Sequence, residues 1–119
     1  MRNLKDIIYF KCMSDGTTVK SYGKLLTYKG KYYALEKDDF GEWRATDLLS
    51  GVQVTVDGEA TIHKLCNHIS RNVRLYKRFY DDDRSKRCRK LIKEAFDNDP
   101  ECKAFPEVRK ILEDVAISS

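Results

Sequence analysis

The sequence predicts an α+β fold in which an antiparallel sheet comes first and helices follow. Up to residue 58, short runs of alternating apolar and aromatic residues are separated by Gly-containing turn signals; beyond it the apolar period lengthens to about 3.6 residues. The chain of 119 residues has the length of one ordinary domain, without an internal repeat or a Pro/Gly-rich linker. The expected organisation is one α+β domain over 1–119, with a sheet half at 1–58 and a helical half at 59–119.

About five strands are expected. Asp6 to Ser14 is rich in β-branched and aromatic residues and ends at the turn signal Asp15-Gly16. Thr17 to Tyr28 forms a long second strand with Gly23 as a candidate bulge, and Lys29-Gly30 reverses it. Lys31 to Glu36 is the third strand, closed by the hairpin loop Asp38-Asp39-Phe40-Gly41. Glu42 to Leu48 follows, with Trp43, Ala45 and Asp47 on one face. Ser50-Gly51 then introduces a short fifth run, Val52 to Val56. Such short connections favour a β-meander.

Two to three helices complete the chain. Ile62, Leu65, Cys66, Ile69, Val73, Tyr76 and Phe79 fall on one helical stripe, with Asp57 or Thr61 as the cap. A second helix is expected to start in Asp81-Asp82-Asp83, to turn Cys88, Leu91, Ile92, Ala95 and Phe96 inward, and to stop before Pro100. Pro106 opens a third, with Val108, Ile111, Leu112 and Val115 inward. These stripes are expected to pack on one face of the sheet.

Charge separates the halves more sharply than hydropathy does. The overall balance is +4, but Arg71 to Lys93 holds ten basic residues against three aspartates, and Glu94 onward is net negative. Arg71, Arg74, Lys77 and Arg78 on the first helix, with Arg84, Arg87 and Lys90 on the second, form the candidate anion- or nucleic-acid-binding set. Cations at this density repel one another unless an anion neutralises them. Either a nucleic acid or ribonucleoprotein partner does so, with Tyr76 and Tyr80 free to stack on bases, or the chain's own Glu107, Glu113 and Asp114 fold back. A second candidate surface is aromatic: Tyr32, Tyr33 and Trp43 crowd the sheet, and alternation puts Tyr32 and Tyr33 on opposite faces. A protein partner or edge pairing into a homodimer fits that surface.

Signatures of catalysis are missing from the sequence. It contains no G-x-S-x-G, no Walker A loop and no G-x-G-x-x-G. His63 and His68 are five apart, which separates them on a helix; His63 and Cys66 have ligand spacing but no second pair to complete a zinc site. A non-enzymatic protein without cofactor or metal is expected. No apolar run reaches the roughly 18 residues of a membrane span, and the first residues lack the apolar core of a signal peptide. The four cysteines include no C-x-x-C pair. A cytoplasmic protein with reduced thiols and no membrane partner is the resulting expectation.

The stretch Trp43-Arg44-Ala45-Thr46-Asp47-Leu48-Leu49-Ser50-Gly51-Val52-Gln53-Val54, leading through Gly58 into a helix, gives the chain a texture that resembles small accessory proteins of bacteriophages and mobile elements. That resemblance implies a role such as inhibition of bacterial defence, as in anti-CRISPR proteins, or sequestration of small signalling nucleotides. It assigns no residues, and the basic segment runs against the acidic nucleic-acid mimicry of many anti-CRISPR proteins.

Overall fold

The computed structural model describes residues 4–55, 58–80 and 83–118; the side chains of 73–80, 83–85 and 114–118 lie outside that description. Four antiparallel strands come first: β1 (Asp6–Cys12), β2 (Thr18–Tyr28), β3 (Lys31–Lys37) and β4 (Trp43–Asp47), in the spatial order β1-β2-β3-β4. Three helices follow: α1 (Ile62–Tyr80), α2 (Asp83–Asn98) and α3 (Pro106–Ser118), with a 3₁₀ turn at Pro100–Ala104 between the last two. The α+β class and the meander are as expected.

Among the described residues the fifth strand is not formed. Residues 52–55 run beside β4 but make only an isolated bridge, Gln53 with Thr46. The Ala45 N–H is taken by the Thr55 hydroxyl at 3.1 Å, while Asp47 N–H reaches Val52 O at 2.9 Å and Val54 N–H reaches Ala45 O at 2.9 Å. A side-chain acceptor has replaced a ladder carbonyl, which breaks the regular alternation a strand requires. Val56 and Asp57, the end of that expected strand and one of the two candidate caps, lie outside the described residues.

Both faces of the sheet are covered, where the sequence reading placed helices on one. Register puts Leu26, Tyr33, Leu35 and Ala45 on a common face, and these cluster with Leu65, Cys66 and Ile69 of α1. Leu25, Tyr32 and Ala34, on the reverse face, belong to a second cluster with Ile92 and Phe96 of α2 and Val108 and Leu112 of α3. Strand β1 joins that second cluster with four consecutive buried residues, Ile7 to Phe10. A strand buried on both sides reads as a continuous apolar run, and Ile7-Ile8-Tyr9-Phe10 is one. Each such side chain contributes roughly 1.5–3 kcal/mol on burial.

Gly23 is not a bulge. It keeps regular register with Ile7, but a Cβ at that position would lie 2.6 Å from the Leu35 carbonyl oxygen. The residue is glycine because backbone approaches backbone there. Gly51 answers two demands together: its φ is +67°, and an added Cβ would meet Cys12 N and Phe10 O at 2.7 Å. Its carbonyl accepts from Cys12 N–H at 2.9 Å, tying the loop after β4 back to the edge of β1.

Helix boundaries follow their caps. Thr61 Oγ1 accepts from Lys64 N–H at 3.1 Å and starts α1. Asp99 caps the 3₁₀ turn by accepting from Glu101 N–H at 3.0 Å, one residue before Pro100. Leu91 departs from its expected inward position: it is 36% exposed, while Cys88, Ile92 and Phe96 are buried. Three apolar positions of the α1 stripe, Val73, Tyr76 and Phe79, and Val115 of α3 have side chains outside the description.

Candidate functional site

The basic segment is divided between two consecutive helices. Arg71 sits in the middle of α1 and is exposed; Arg74, Lys77 and Arg78 continue the same helix, with side chains outside the described set. Arg84 occupies the first turn of α2, also with its side chain outside it. Arg87 and Lys90, three apart on α2, are exposed, as is Lys86. The three-residue spacing puts Arg87 and Lys90 on one side of the helix, opposite in character to the buried Cys88, Ile92 and Phe96.

Two of the three carboxylates expected to neutralise this segment, Glu107 and Glu113, are used elsewhere. Glu107 pairs with Lys5, just before β1. Glu113 accepts from Arg109 Nε at 3.0 Å, within α3. Asp99 and Glu101 hold Lys20 of β2 at 2.8 and 2.6 Å, and Tyr22 donates its hydroxyl to Glu101 at 2.9 Å. Hydrogen bonds from Lys20 keep the Asp99 and Glu101 carboxyls below their ordinary range, and the same bonds raise Lys20. Asp99, Glu101 and Glu107 are thus stitched to the sheet side, and Glu113 is held within α3. Among the described residues, no carboxylate forms an ion pair with Arg71, Lys86, Arg87 or Lys90. Asp114, the third tail carboxylate, and Asp82 and Asp83, four residues before Lys86 and Arg87, have side chains outside the description.

The aromatic candidates are placed differently. Tyr33 is 2% exposed and belongs to the α1-side core, so it cannot act as a contact residue. Tyr32 is half-buried and packs against the opposite cluster. The alternation argument was right about opposite faces, but helices cover both. Trp43 is half-buried beneath Lys37, whose Nζ stands 5.1 Å from the ring centroid.

Other polar arrangements serve the fold. Tyr9 donates to Glu36 Oε1 at 2.5 Å and Lys11 holds Glu36 Oε2 at 3.0 Å. Burial, then the hydrogen bond to Glu36, pushes the Tyr9 phenol far above its ordinary range, so it stays protonated. His68 Nδ1 lies 3.0 Å from Glu59 Oε1, and the Glu59 backbone pairs with Trp43 in both directions, tying α1 to β4. His63 is exposed and Cys66 buried, and no group of three or more His, Cys, Asp or Glu among the described residues is placed to hold a metal ion. No helix among them is long and apolar enough to cross a membrane.

Comparison with family models, curated proteins and solved structures finds no match to this chain.

Proposed function

We propose that the protein is a non-enzymatic binder whose exposed cations on α1 and α2 engage an anionic macromolecule, with nucleic acid as the partner class. The observation that carries this reading is the disposition of the acidic tail. Its Asp99, Glu101, Glu107 and Glu113 are held by Lys20, Lys5 and Arg109, while Arg71, Arg87 and Lys90 stand exposed without a described carboxylate. Cations kept clear of internal partners in this way favour phosphate contacts that release counterions. The four cysteines are thiols and not disulfides, which suits a reducing, cytoplasmic setting.

The test is fluorescence anisotropy with single- and double-stranded DNA and RNA oligonucleotides across a salt series. Binding should fall steeply as salt rises. The triple variant R71E/R87E/K90E should lose it while keeping the wild-type melting temperature, since all three side chains are exposed. Failure to bind any of the four probes, or binding that ignores both salt and the charge reversals, overturns the reading.

A further inference from the structure

Strand β2 has eleven residues, yet neither neighbour runs its full length. β1 pairs with Thr18–Lys24 and β3 with Lys24–Tyr28, so the two ladders overlap only around Lys24 and Leu25. Two backbone bonds bracket the β1 ladder and fix its phase: Leu25 N–H to Lys5 O at 2.9 Å and Met13 N–H to Thr17 O at 2.8 Å. Odd-numbered residues of β2 therefore aim their N–H and C=O at β1, and Thr18, Lys20 and Tyr22 aim theirs the other way. On that side no described residue pairs with them.

The opposite wall has the same character. Asp38 N–H reaches Glu42 O at 2.8 Å and Leu48 N–H reaches Tyr32 O at 3.1 Å, so even-numbered residues of β3 face β4 and odd-numbered ones face β2. Lys37 thus turns its N–H and C=O toward the place where continued register would have set Tyr22. The strands have instead parted just past Gly23, where backbone meets backbone at Leu35. A cleft of about 640 Å³ opens beside this point, with Ser21, Tyr22 and Lys24 on one wall and Leu35, Lys37 and Trp43 on the other, and with Asp6 and Ile7 of β1 and Phe105 completing its lining. This wedge between β2 and β3 has the backbone groups of Tyr22 on one side and of Lys37 on the other, and the open edge of β2 continues from it through Lys20 to Thr18.

We propose that this wedge receives an extended segment of a partner protein as an added strand beside Thr18–Tyr22. Strand addition to an open edge draws its affinity from main-chain hydrogen bonds and its selectivity from alternate side chains. The occupant is a lone segment and not the edge of a second copy. Strands pair at about 4.8 Å, so a sheet edge entering here would bring its own neighbour strand into β3. Charge fixes one end of the guest. Lys20 is held by Asp99 and Glu101, and Lys24 by Asp6 at 2.6 Å. Lys37 lies over the Trp43 ring and pairs with no described carboxylate. An acidic side chain at the Lys37 end, with apolar ones against Trp43, is the complementary chemistry.

A phage-displayed random-peptide library panned on the full chain tests this. Enriched peptides should alternate apolar residues and carry an acidic one, and N-methylation at alternate backbone positions should abolish their binding. Thr18→Pro and Tyr22→Pro each remove an N–H from the open side and leave the β1 ladder intact, as proline does on an edge. Each should weaken the peptides about tenfold, the effect of leaving one carbonyl of the guest unpaired. Should either proline variant fail to fold, Lys37→Glu decides, since it keeps the backbone and should weaken acidic peptides by a similar factor. The proposal is overturned if no peptide enriches, if selected peptides bind the folded variants as well as wild type, or if wild type sediments as a dimer that Tyr22→Pro dissociates.

Discussion

Single residues in this protein act mostly by satisfying backbone groups at turns. Asp38 is a heavily used one. Its Oδ1 accepts from Phe40 N–H at 2.9 Å and Glu42 N–H at 3.0 Å, and its Oδ2 takes Arg44 Nε at 2.9 Å. These donors shape the hairpin that presents Phe40, 86% exposed, at its tip. The Glu42 N–H, then the Arg44 guanidinium, hold the Asp38 carboxyl below its ordinary range. The folded value lies under the unfolded one, near about 3.9. Its stabilisation is therefore complete above that pH and is lost as pH falls through the lower folded value. Asp38→Asn should flatten the acid limb of the stability profile, followed through the single tryptophan, Trp43. An acid limb identical to wild type would show that this carboxylate contributes nothing as an ion.

At the scale of elements, local chemistry decides where helices begin and long-range pairing decides what the strands become. Thr61 starts α1 with one side-chain bond, to Lys64 N–H. Thr61→Ala should lower stability by about 0.5–2 kcal/mol in urea denaturation, without altering the α1 face that carries Arg71. The helices were legible because period, cap and proline all act within a few residues: Thr61, Asp99-Pro100 and Pro106 stand where expected. The exposure of Arg71, Arg87 and Lys90 was legible for the same reason. The expected strand after Gly51 was not formed because Thr55 supplies a hydroxyl where a ladder needs a carbonyl, a choice made by atoms ten residues apart in sequence. Tyr33 was misplaced because alternation tells which residues share a face but not whether both faces are covered. The wedge beside β2 left one trace in the sequence, a glycine in the middle of a long strand. Its meaning emerges only from the registers of two ladders compared with each other.

At the scale of the whole molecule, the sheet separates two apolar layers. Ile69 of α1 is fully buried among Leu26, Tyr33, Leu35 and Ala45, whereas Ile92 of α2 is buried with Ile8, Phe10 and Leu48. Side chains that share no neighbours perturb stability independently. Ile69→Val and Ile92→Val should each cost about 0.5–1.5 kcal/mol, the usual loss for one buried methylene. In the double variant the two losses should add to within about 0.3–0.5 kcal/mol. Truncations this small keep the chain folded, so the cycle can be read from urea midpoints at constant slope. A coupling on the order of 1 kcal/mol or more would mean that the two layers relax as one body through the sheet. The backbone gap between β2 and β3 would then be unable to open on one side without disturbing the other. Additive losses would leave α1 and α2 anchored in separate layers, with their basic sides held in place by independent packing.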